Sequence, residues 1–501
     1  MRAVARGSST NTDRATGWRR MVPHALCWSS ALALAAALPA QAQTGARVQP
    51  SVPAETMAAG DFATGHRLVG QQLATCLQTA PRADACLDLV HAMVNLSLRI
   101  GRTGEAEAHA RRALAIANAT VGPDSRDVAR AQLALATALG AANQLRAAYD
   151  AARAGAAGYR ATRGADHPDT IDAHAATAEA AWALGLIEPA SRSYKVAVEA
   201  AQSSMQRATA AARAQQRPGF ARLYNDYANF LREIGYPGAA EPFAREAARI
   251  WREALGPDHP DTAVGHSSYG LILSDLRRHD EAALYLRESL RIRRLNRASP
   301  DALLTGYNNL AVALDATGDR AGAAASLRTA LALVAPGAPV DPLLVATIRA
   351  NLGGNLLGGP RADGPWREAA TQLELARAVQ LRLLPPAHPD RIASASKLAS
   401  AYARLGRRVE AAALFDEALA GARAALGVHH VQTLRTQLNL AHFHLDGGRP
   451  AAARPLYRAA QRALLARFAG PDPAGASRAA LREFRDGFAG QVEAAWALAQ
   501  R

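Results

Sequence analysis

The chain has 501 residues and a formal net charge of +15, and 49% of its residues are hydrophobic. No apolar stretch reaches the roughly 20 residues that a transmembrane helix needs, which excludes an integral membrane protein with several spans. The basic balance favours acidic partners in general but specifies none of them.

Residues 1–42 are predicted to be a cleavable secretory signal peptide. Arg19 and Arg20 precede an apolar stretch at 25–38, and Ala40–Ala42 has the small-x-small pattern of a cleavage site. This pattern predicts a protein that is periplasmic or secreted. A membrane anchor that stays in place is the alternative.

Removal of the predicted signal takes away five arginines and one aspartate, which lowers the net charge from +15 to +11. Met1 and Met21 are both possible starts, because residues 1–20 have the composition of an unstructured polar extension. Only Lys195 and Lys397 are lysines, which indicates nucleotide bias in the coding sequence and not selection for phosphate binding.

Residues 43–82 are predicted to form a linker and a capping helix, with 60–76 as the second helix of an incomplete unit. Cys76 and Cys86 remain after removal of the signal, and an even pair in an exported chain predicts a disulfide. Each cysteine is expected on one arm of a helical hairpin that breaks at 79–81. Two buried thiols are the alternative.

Residues 83–468 are predicted to be an array of about nine repeats. The same alanine returns at intervals of 41 to 50 residues, each time one helical turn before a second apolar residue. These alanines are Ala106, Ala148, Ala190, Ala240, Ala282, Ala323, Ala369, Ala411 and Ala453. A period of this size is typical of a solenoid built from one supersecondary unit.

One unit is readable from residue 308 to residue 331. Leu310 and Leu314 mark the buried face of a first helix, Gly318 ends it in the left-handed conformation, and Ala323 and Leu327 mark a second helix. Alanine at the second helix permits close approach of the two helices, and each hairpin buries its open face by stacking. The predicted fold class is all-α, a right-handed α-solenoid of stacked antiparallel helix pairs.

Segments of the HPDT type precede several first helices, at 164–170, 256–262 and 385–390. Proline at the first helical position costs no hydrogen bond, and the following aspartate faces the positive end of the helix dipole. The histidine before each proline is interpreted as a loop-packing residue and not as a metal ligand, because successive repeats hold these histidines apart.

These features together resemble the tetratricopeptide repeat, in the longer form found in kinesin light chains. The resemblance rests on the near-42-residue period, the HPDT-like helix starts and the pattern NLA…G…EA…AL, and it covers about residues 83–468. It implies an interaction scaffold whose first helices line a concave groove. It also implies that a polar residue before the first helix's leucine binds a peptide backbone or a terminal carboxylate.

The positions that match this peptide-binding column are Asn309, Asn351, Lys397 and Asn439, with Arg435 one turn before Asn439. Asn side chains could accept from a peptide N–H and donate to its carbonyl, and the two cations would attract a carboxylate. The alternative is that these amides bond only to the neighbouring helix. Arg222, Tyr227 and Asn229 form a secondary candidate patch.

Three departures from the repeat carry their own predictions. The 50-residue step is expected to lengthen a second helix near 201–216, and the 46-residue step places an irregular segment at 358–365. Residues 474–501 are expected to form a C-terminal capping helix, in which 477–500 is a single helix or a bent pair. The side chains expected to cover the last open face are Phe484, Phe488 and Trp496.

No GxxxxGK[ST], GxSxG or HExxH motif occurs, so no catalytic or cofactor site is predicted. The histidines at 429, 430, 442 and 444 are not expected to share a metal ion. The predicted function is a non-catalytic protein–protein interaction scaffold of the bacterial cell envelope that binds a peptide segment in its concave groove. The alternative is an electrostatic adaptor for an anionic envelope polymer. No specific nucleic acid is implied.

Overall fold

The computed structural model describes residues 47–53, 56, 61–80, 83–335, 337, 340–358, 364–468 and 485–500. Within these residues the chain forms 20 α-helices and no strand, with neighbouring helices stacked in pairs, which confirms the predicted all-α solenoid class. The predicted signal peptide lies outside the described residues. The chain divides into two compact units, residues 1–257 and residues 258–501.

Unit one contains nine helices among its described residues. They are α1 (Phe62–Thr79), α2 (Leu87–Arg99), α3 (Thr103–Thr120), α4 (Arg126–Ala141), α5 (Leu145–Arg163), α6 (Pro168–Ala183), α7 (Ile187–Arg207), α8 (Ala210–Glu233) and α9 (Pro237–Leu255). A short 3-10 helix, Ala83–Cys86, stands between α1 and α2. Consecutive helices pack together, and α2, α4, α6 and α8 also contact one another in series.

The described part of unit two repeats the same arrangement with eleven helices. They are α10 (Pro260–Asp275), α11 (His279–Leu295), α12 (Pro300–Thr317), α13 (Arg320–Ala332), α14 (Pro342–Leu357), α15 (Trp366–Leu383), α16 (Pro389–Arg404), α17 (Arg408–Leu426), α18 (Val431–Asp446), α19 (Pro450–Phe468) and α20 (Arg485–Ala499). The even-numbered helices from α2 to α18 are called first helices below, and their odd-numbered partners second helices.

The repeating alanines are buried on the second helix of each pair. All nine, from Ala106 to Ala453, are at most 1% exposed. A glycine on one first helix shows how tightly its pair is packed: a Cβ added to Gly270 would lie 2.8 Å from Leu286 Cγ and 3.3 Å from the carbonyl oxygen of Ala282. Because a larger side chain at these positions has no room, the recurrence of alanine follows from packing.

The turns inside the helix pairs contain the predicted left-handed residue. Gly318 ends α12 with φ 92° and ψ −2°, and Asn143 takes the same region with φ 59°. Arg277 does so as well, with φ 64°, at a turn where the sequence offers neither glycine nor asparagine. The repeat geometry therefore imposes this conformation even on a residue that does not favour it.

The histidines of the HPDT segments cap the first helices. Nδ1 of His167, His259 and His388 accepts a hydrogen bond from the backbone N–H two residues later, over 3.1 to 3.2 Å. His430 caps α18 in the same way, with Gln432 as the donor. The imidazole thus satisfies an N–H at the helix start, a more specific role than the predicted loop packing.

The prediction for the 50-residue step is wrong. The second helix α7 stops at Arg207, because Ala208 is extended and the Thr209 side chain accepts a hydrogen bond from Ala212 N–H to begin a new helix. The extra residues therefore lengthen the following first helix, α8, to 24 residues. Most of the irregular segment at 358–365 lies outside the described residues.

Cys76 and Cys86 form a disulfide that joins α1 to the 3-10 helix. Cys86 therefore lies in the turn before α2. The expectation that each cysteine lies on one arm of a helical hairpin is wrong for Cys86. Both cysteines belong to the hydrophobic core of this end of the chain, where Val69 and Leu87 are completely buried. Arg47 pairs with Asp127 and fixes the predicted linker against α4.

At the C-terminal end, α20 packs against α18 and α19, with Ala494 buried beside Tyr457. The expectation that Trp496 covers the open face is wrong, because this side chain is 68% exposed. Small residues form the contact instead: a Cβ on Gly490 would lie 2.6 Å from the Tyr457 ring. Phe484 and the side chain of Phe488 lie outside the described residues. Of the helices the structure describes, none has the length and apolar character to span a membrane.

Candidate functional site

The predicted peptide-binding column lies on four successive first helices of unit two. Asn309 is on α12, Asn351 on α14, Lys397 on α16 and Asn439 on α18, and all four are half-buried. Each of these first helices contacts the next, so the four side chains follow one another along a continuous face. We refer to these four residues as the column.

Two asparagines of the column bond to the preceding first helix. Asn351 Nδ2 donates to Asn308 Oδ1 at 2.9 Å, and Asn439 Nδ2 donates to Ser396 Oγ at 3.3 Å. These bonds stabilise the stack, as the alternative interpretation expected. In the described part of the chain no donor reaches Oδ1 of either amide, so both carbonyl oxygens keep their capacity to accept a peptide N–H.

Lys397 reaches from α16 to the preceding first helix, where Nζ donates to the carbonyl oxygen of Ala350 at 3.4 Å. A Cβ on Gly354 would lie 3.2 Å from Nζ, so the absence of a side chain there gives the ammonium its space. Burial lowers the pKa of Lys397, and the neighbouring charge of Arg435 lowers it further. An anion placed between these two cations would relieve both effects.

Asn309 and Arg435 differ from the rest of the column. Asn309 forms no side-chain hydrogen bond with any described residue, although Asn308 beside it accepts from Asn351. Arg435 lies one turn before Asn439 on α18 and is exposed. The structure thus brings the five predicted residues onto one face. Asn351, Lys397 and Asn439 bond to a neighbouring helix. Asn309 has no such bond among the described residues, and Arg435 is exposed.

The secondary patch is only partly at the surface. Tyr227 is 6% exposed, and its ring stacks with Phe230 and meets Phe243 edge-on at 4.9 Å. It is therefore a core residue of unit one. Arg222 and Asn229 remain half-buried on the same helix, α8.

Sequence reasoning missed a group of carboxyls in unit one, because they are distant in the chain. Asp172 and Glu179 on α6 and Asp226 on α8 form what we call the acidic cluster. Burial raises the pKa of Asp172 and of Asp226 to about 7. It also raises the pKa of Glu179 well above its usual range, and the charge of Asp226 raises it further. The sign of the group is that the charge of Asp226 raises the pKa of Glu179 on the other helix, and this effect is seen only in the folded structure.

The histidines considered as metal ligands make ordinary contacts. His442 Nδ1 lies 2.7 Å from the Tyr457 hydroxyl, and His430 caps α18. Nowhere among the described residues do three His, Cys, Asp or Glu side chains come together in a group that could hold a metal ion.

Comparison with known proteins identifies the repeat. Family models described as tetratricopeptide repeat match residues 90–127, 219–295 and 390–466. These stretches lie in both units, and each includes helices of the pairs described above. No curated protein matches the sequence.

Solved structures match at low sequence identity. A kinesin light chain of Podosopora anserina with nearly identical repeats is 21% identical, with a TM-score of 0.35 over 42% of this chain and 97% of that one. RapI in its apo form is 10% identical, with a TM-score of 0.52 over 74% of this chain and 95% of that one. BtubC from P. vanneervenii is 17% identical, with a TM-score of 0.39 over 46% of this chain and 90% of that one.

The RapI match shows a common helical-repeat fold and, at this identity, nothing more specific. The repeat fold is generally a non-catalytic scaffold for protein–protein interaction. Family models, stacked helix pairs and the near-42-residue period agree with one another. The chain therefore contains tetratricopeptide repeats, at residues 90–127, 219–295 and 390–466, within its stack of helix pairs.

Proposed function

We propose that the protein is a non-catalytic scaffold that binds an extended peptide along the column of unit two. The observation that carries this proposal is the placement of Asn309, Asn351, Lys397 and Asn439 on consecutive first helices, with Arg435 beside Lys397. Neighbouring helices pack about 9 Å apart, so four of them extend over about 30 Å. A peptide rises about 3.3 Å per residue and would meet the column over about nine residues.

Each column residue has a role in this proposal. Asn351 and Asn439 hold their amides in place through Nδ2 and present Oδ1 to a peptide N–H. Asn309 offers both its donor and its acceptor. Lys397 and Arg435 attract a carboxylate, either at the peptide's C terminus or on an acidic side chain. Because these contacts are made to the backbone of the peptide and to one carboxylate, peptides of many sequences can bind.

We also propose that the protein acts in the bacterial cell envelope after export. The support is the pattern of residues 1–42, together with the disulfide between Cys76 and Cys86, which persists in oxidising compartments. Mass spectrometry of the protein from its native host tests this proposal. A mature N terminus at or near residue 43 supports export, and an intact N terminus in the cytosolic fraction contradicts it.

Peptide binding is tested with a display library of ten-residue peptides that have free C termini. Selected peptides are then measured by fluorescence anisotropy against Asn309→Ala, Lys397→Met and the control Asn118→Ala, whose residue is exposed on the second helix α3. We expect the two column variants to weaken binding about tenfold and the control to leave it unchanged. Equal affinity in all variants would contradict the column assignment.

Salt dependence distinguishes this function from an adaptor for anionic polymers. Many arginines on the second helices are already paired with acids one turn away, as Arg249 is with Glu246 and Glu253. Binding through amides and one enclosed carboxylate should persist at about 0.5 M salt, where exposed charges are screened beyond about 4 Å. Binding that is lost between about 0.05 and 0.2 M salt would favour the polymer.

A further inference from the structure

The acidic cluster occupies one side of two neighbouring first helices in unit one. Asp172 and Glu179 are two turns apart on α6, and Arg222 and Asp226 are one turn apart on α8, so each pair shares a helix side. Helices α6 and α8 are in contact. All four side chains are half-buried. The cluster is therefore a face shared by two repeats and not a chance feature of one helix.

Charge is not balanced on this face. The charge of Arg222 partly offsets the rise in the pKa of all three carboxyls, Asp172, Glu179 and Asp226. Among the described residues, however, none of the three forms a hydrogen bond or an ion pair with Arg222. Elsewhere in unit one acids meet arginines directly, as Glu253 does with Arg217 and Arg249. Three carboxyls thus lie near one cation, Arg222, and none of them pairs with it, in a chain whose net charge is +15.

A second, independent observation is an unmatched buried amide at the cluster. Asn225 is 4% exposed; its Nδ2 donates to Asp226 Oδ1 at 3.3 Å, and its Oδ1 is buried without a hydrogen-bond partner. Arg222 Nη1 is likewise buried without an acceptor. An unmatched buried acceptor is costly, so it indicates that a donor belongs there. Two buried polar atoms on these residues are therefore unsatisfied, the acceptor Asn225 Oδ1 and the donor Arg222 Nη1.

A metal ion does not fit this arrangement, since no three ligand side chains in the described chain gather closely enough to hold one. A guanidinium carries five N–H donors on a long stem and can reach acceptors that are further apart. We propose that the acidic cluster binds the cationic side chain of an arginine or lysine in a partner peptide. This site goes beyond the proposed function, because it uses no residue of the column.

The test measures binding of labelled ten-residue peptides that alternate glycine with arginine, lysine or citrulline, the neutral isostere of arginine. The cluster variant is Asp172→Asn with Glu179→Gln and Asp226→Asn. The matched control is Asp150→Asn with Asp166→Asn and Glu188→Gln, which removes the same charge from exposed or partly exposed sites paired with Arg146, Arg207 and Arg192. Thermal melting checks that both variants fold.

We expect the arginine peptide to bind the wild type and the control alike and the cluster variant about tenfold more weakly. The citrulline peptide should bind the wild type as weakly as the arginine peptide binds the cluster variant. An equal loss of affinity in both triple variants would mean that the overall charge of the protein causes the binding, and it would overturn the proposal. Displacement of the arginine peptide by calcium chloride at constant ionic strength would also overturn it. Asn309→Ala should leave this binding unchanged, which separates failure here from failure of the column.

Discussion

Asn351 Nδ2 donates to Asn308 Oδ1 over 2.9 Å and so links first helices α14 and α12. The amide next to the acceptor, Asn309, has no such bond within the described residues. These two asparagines occupy equivalent repeat positions, but only Asn351 bonds to the neighbouring first helix. Asn351→Ala should therefore lower stability as well as peptide binding, whereas Asn309→Ala should weaken binding alone.

Asn351→Ala is expected to lower the free energy of unfolding by about 1 kcal/mol, because it removes one half-buried hydrogen bond between helices. Asn309→Ala should change it by less than about 0.5 kcal/mol, the range usual for surface substitutions. Urea denaturation followed by circular dichroism measures both. A loss of stability in Asn309→Ala as large as that in Asn351→Ala would mean that Asn309 also holds the stack.

Ala323→Leu should destabilise unit two by about 1 to 3 kcal/mol, because the enlarged side chain enters a helix contact that is already closed. Ala323 is 1% exposed, whereas Ala325 on the same helix faces solvent. Ala325→Leu is therefore the matched control and should be close to neutral. If the two variants melt at the same temperature, packing does not require alanine at the repeating positions.

The repeat period, the buried alanines and the left-handed turn at Gly318 were predictable, because each depends on residues close together in one unit. The end of α7 at Arg207 was not, since apolar periodicity continues through Ala208 and only the extended backbone and the Thr209 cap stop the helix. The column was predictable as a set of positions, but its bonds to Asn308 and Ser396 depend on the spacing of neighbouring helices.

The acidic cluster should make unit one less stable at high pH. The groups that face Asp226 are Arg222 and Asn225 on its own helix and Glu179 on α6. Its pKa is about 7 when folded and about 3.8 without the fold, so between these values the folded state binds a proton that the unfolded state does not. Stability therefore falls as pH rises through this window.

Asp226→Asn removes this effect and should raise the free energy of unfolding by about 1 kcal/mol at pH 8.5, a value reduced for solvent screening of a half-buried group. At pH 4 the variant and the wild type should be nearly equal. Urea titrations at the two pH values, with Asp150→Asn as the control, measure the difference. The same gain at both pH values would show that charge is not the cause.

Reduction of the disulfide between Cys76 and Cys86 should loosen the N-terminal end of unit one. The bond closes a loop of sequence separation 10, for which the chain-entropy model gives about 3 kcal/mol. We expect dithiothreitol to lower the melting temperature of the wild type and to leave the double variant Cys76→Ser with Cys86→Ser unchanged. Proteolysis before α2 should become faster at the same time. A wild type that is insensitive to reductant would contradict the structural role of the bond.

The histidine cap of α6 gives a prediction with a pH signature. His167 Nδ1 accepts from the Asp169 N–H at 3.1 Å, so His167→Ala should cost about 1 kcal/mol and His167→Asp should retain the cap. Burial lowers the pKa of His167, which keeps the acceptor nitrogen unprotonated in the folded state. The unfolded chain takes up a proton below its ordinary pKa of about 6.5, and the stability contributed by the neutral ring is lost as pH falls through that value. His167→Asp should therefore gain stability relative to the wild type between pH 7 and about pH 5, as measured by urea denaturation. A constant difference across this range would mean that the ring packs in the loop without acting as a cap.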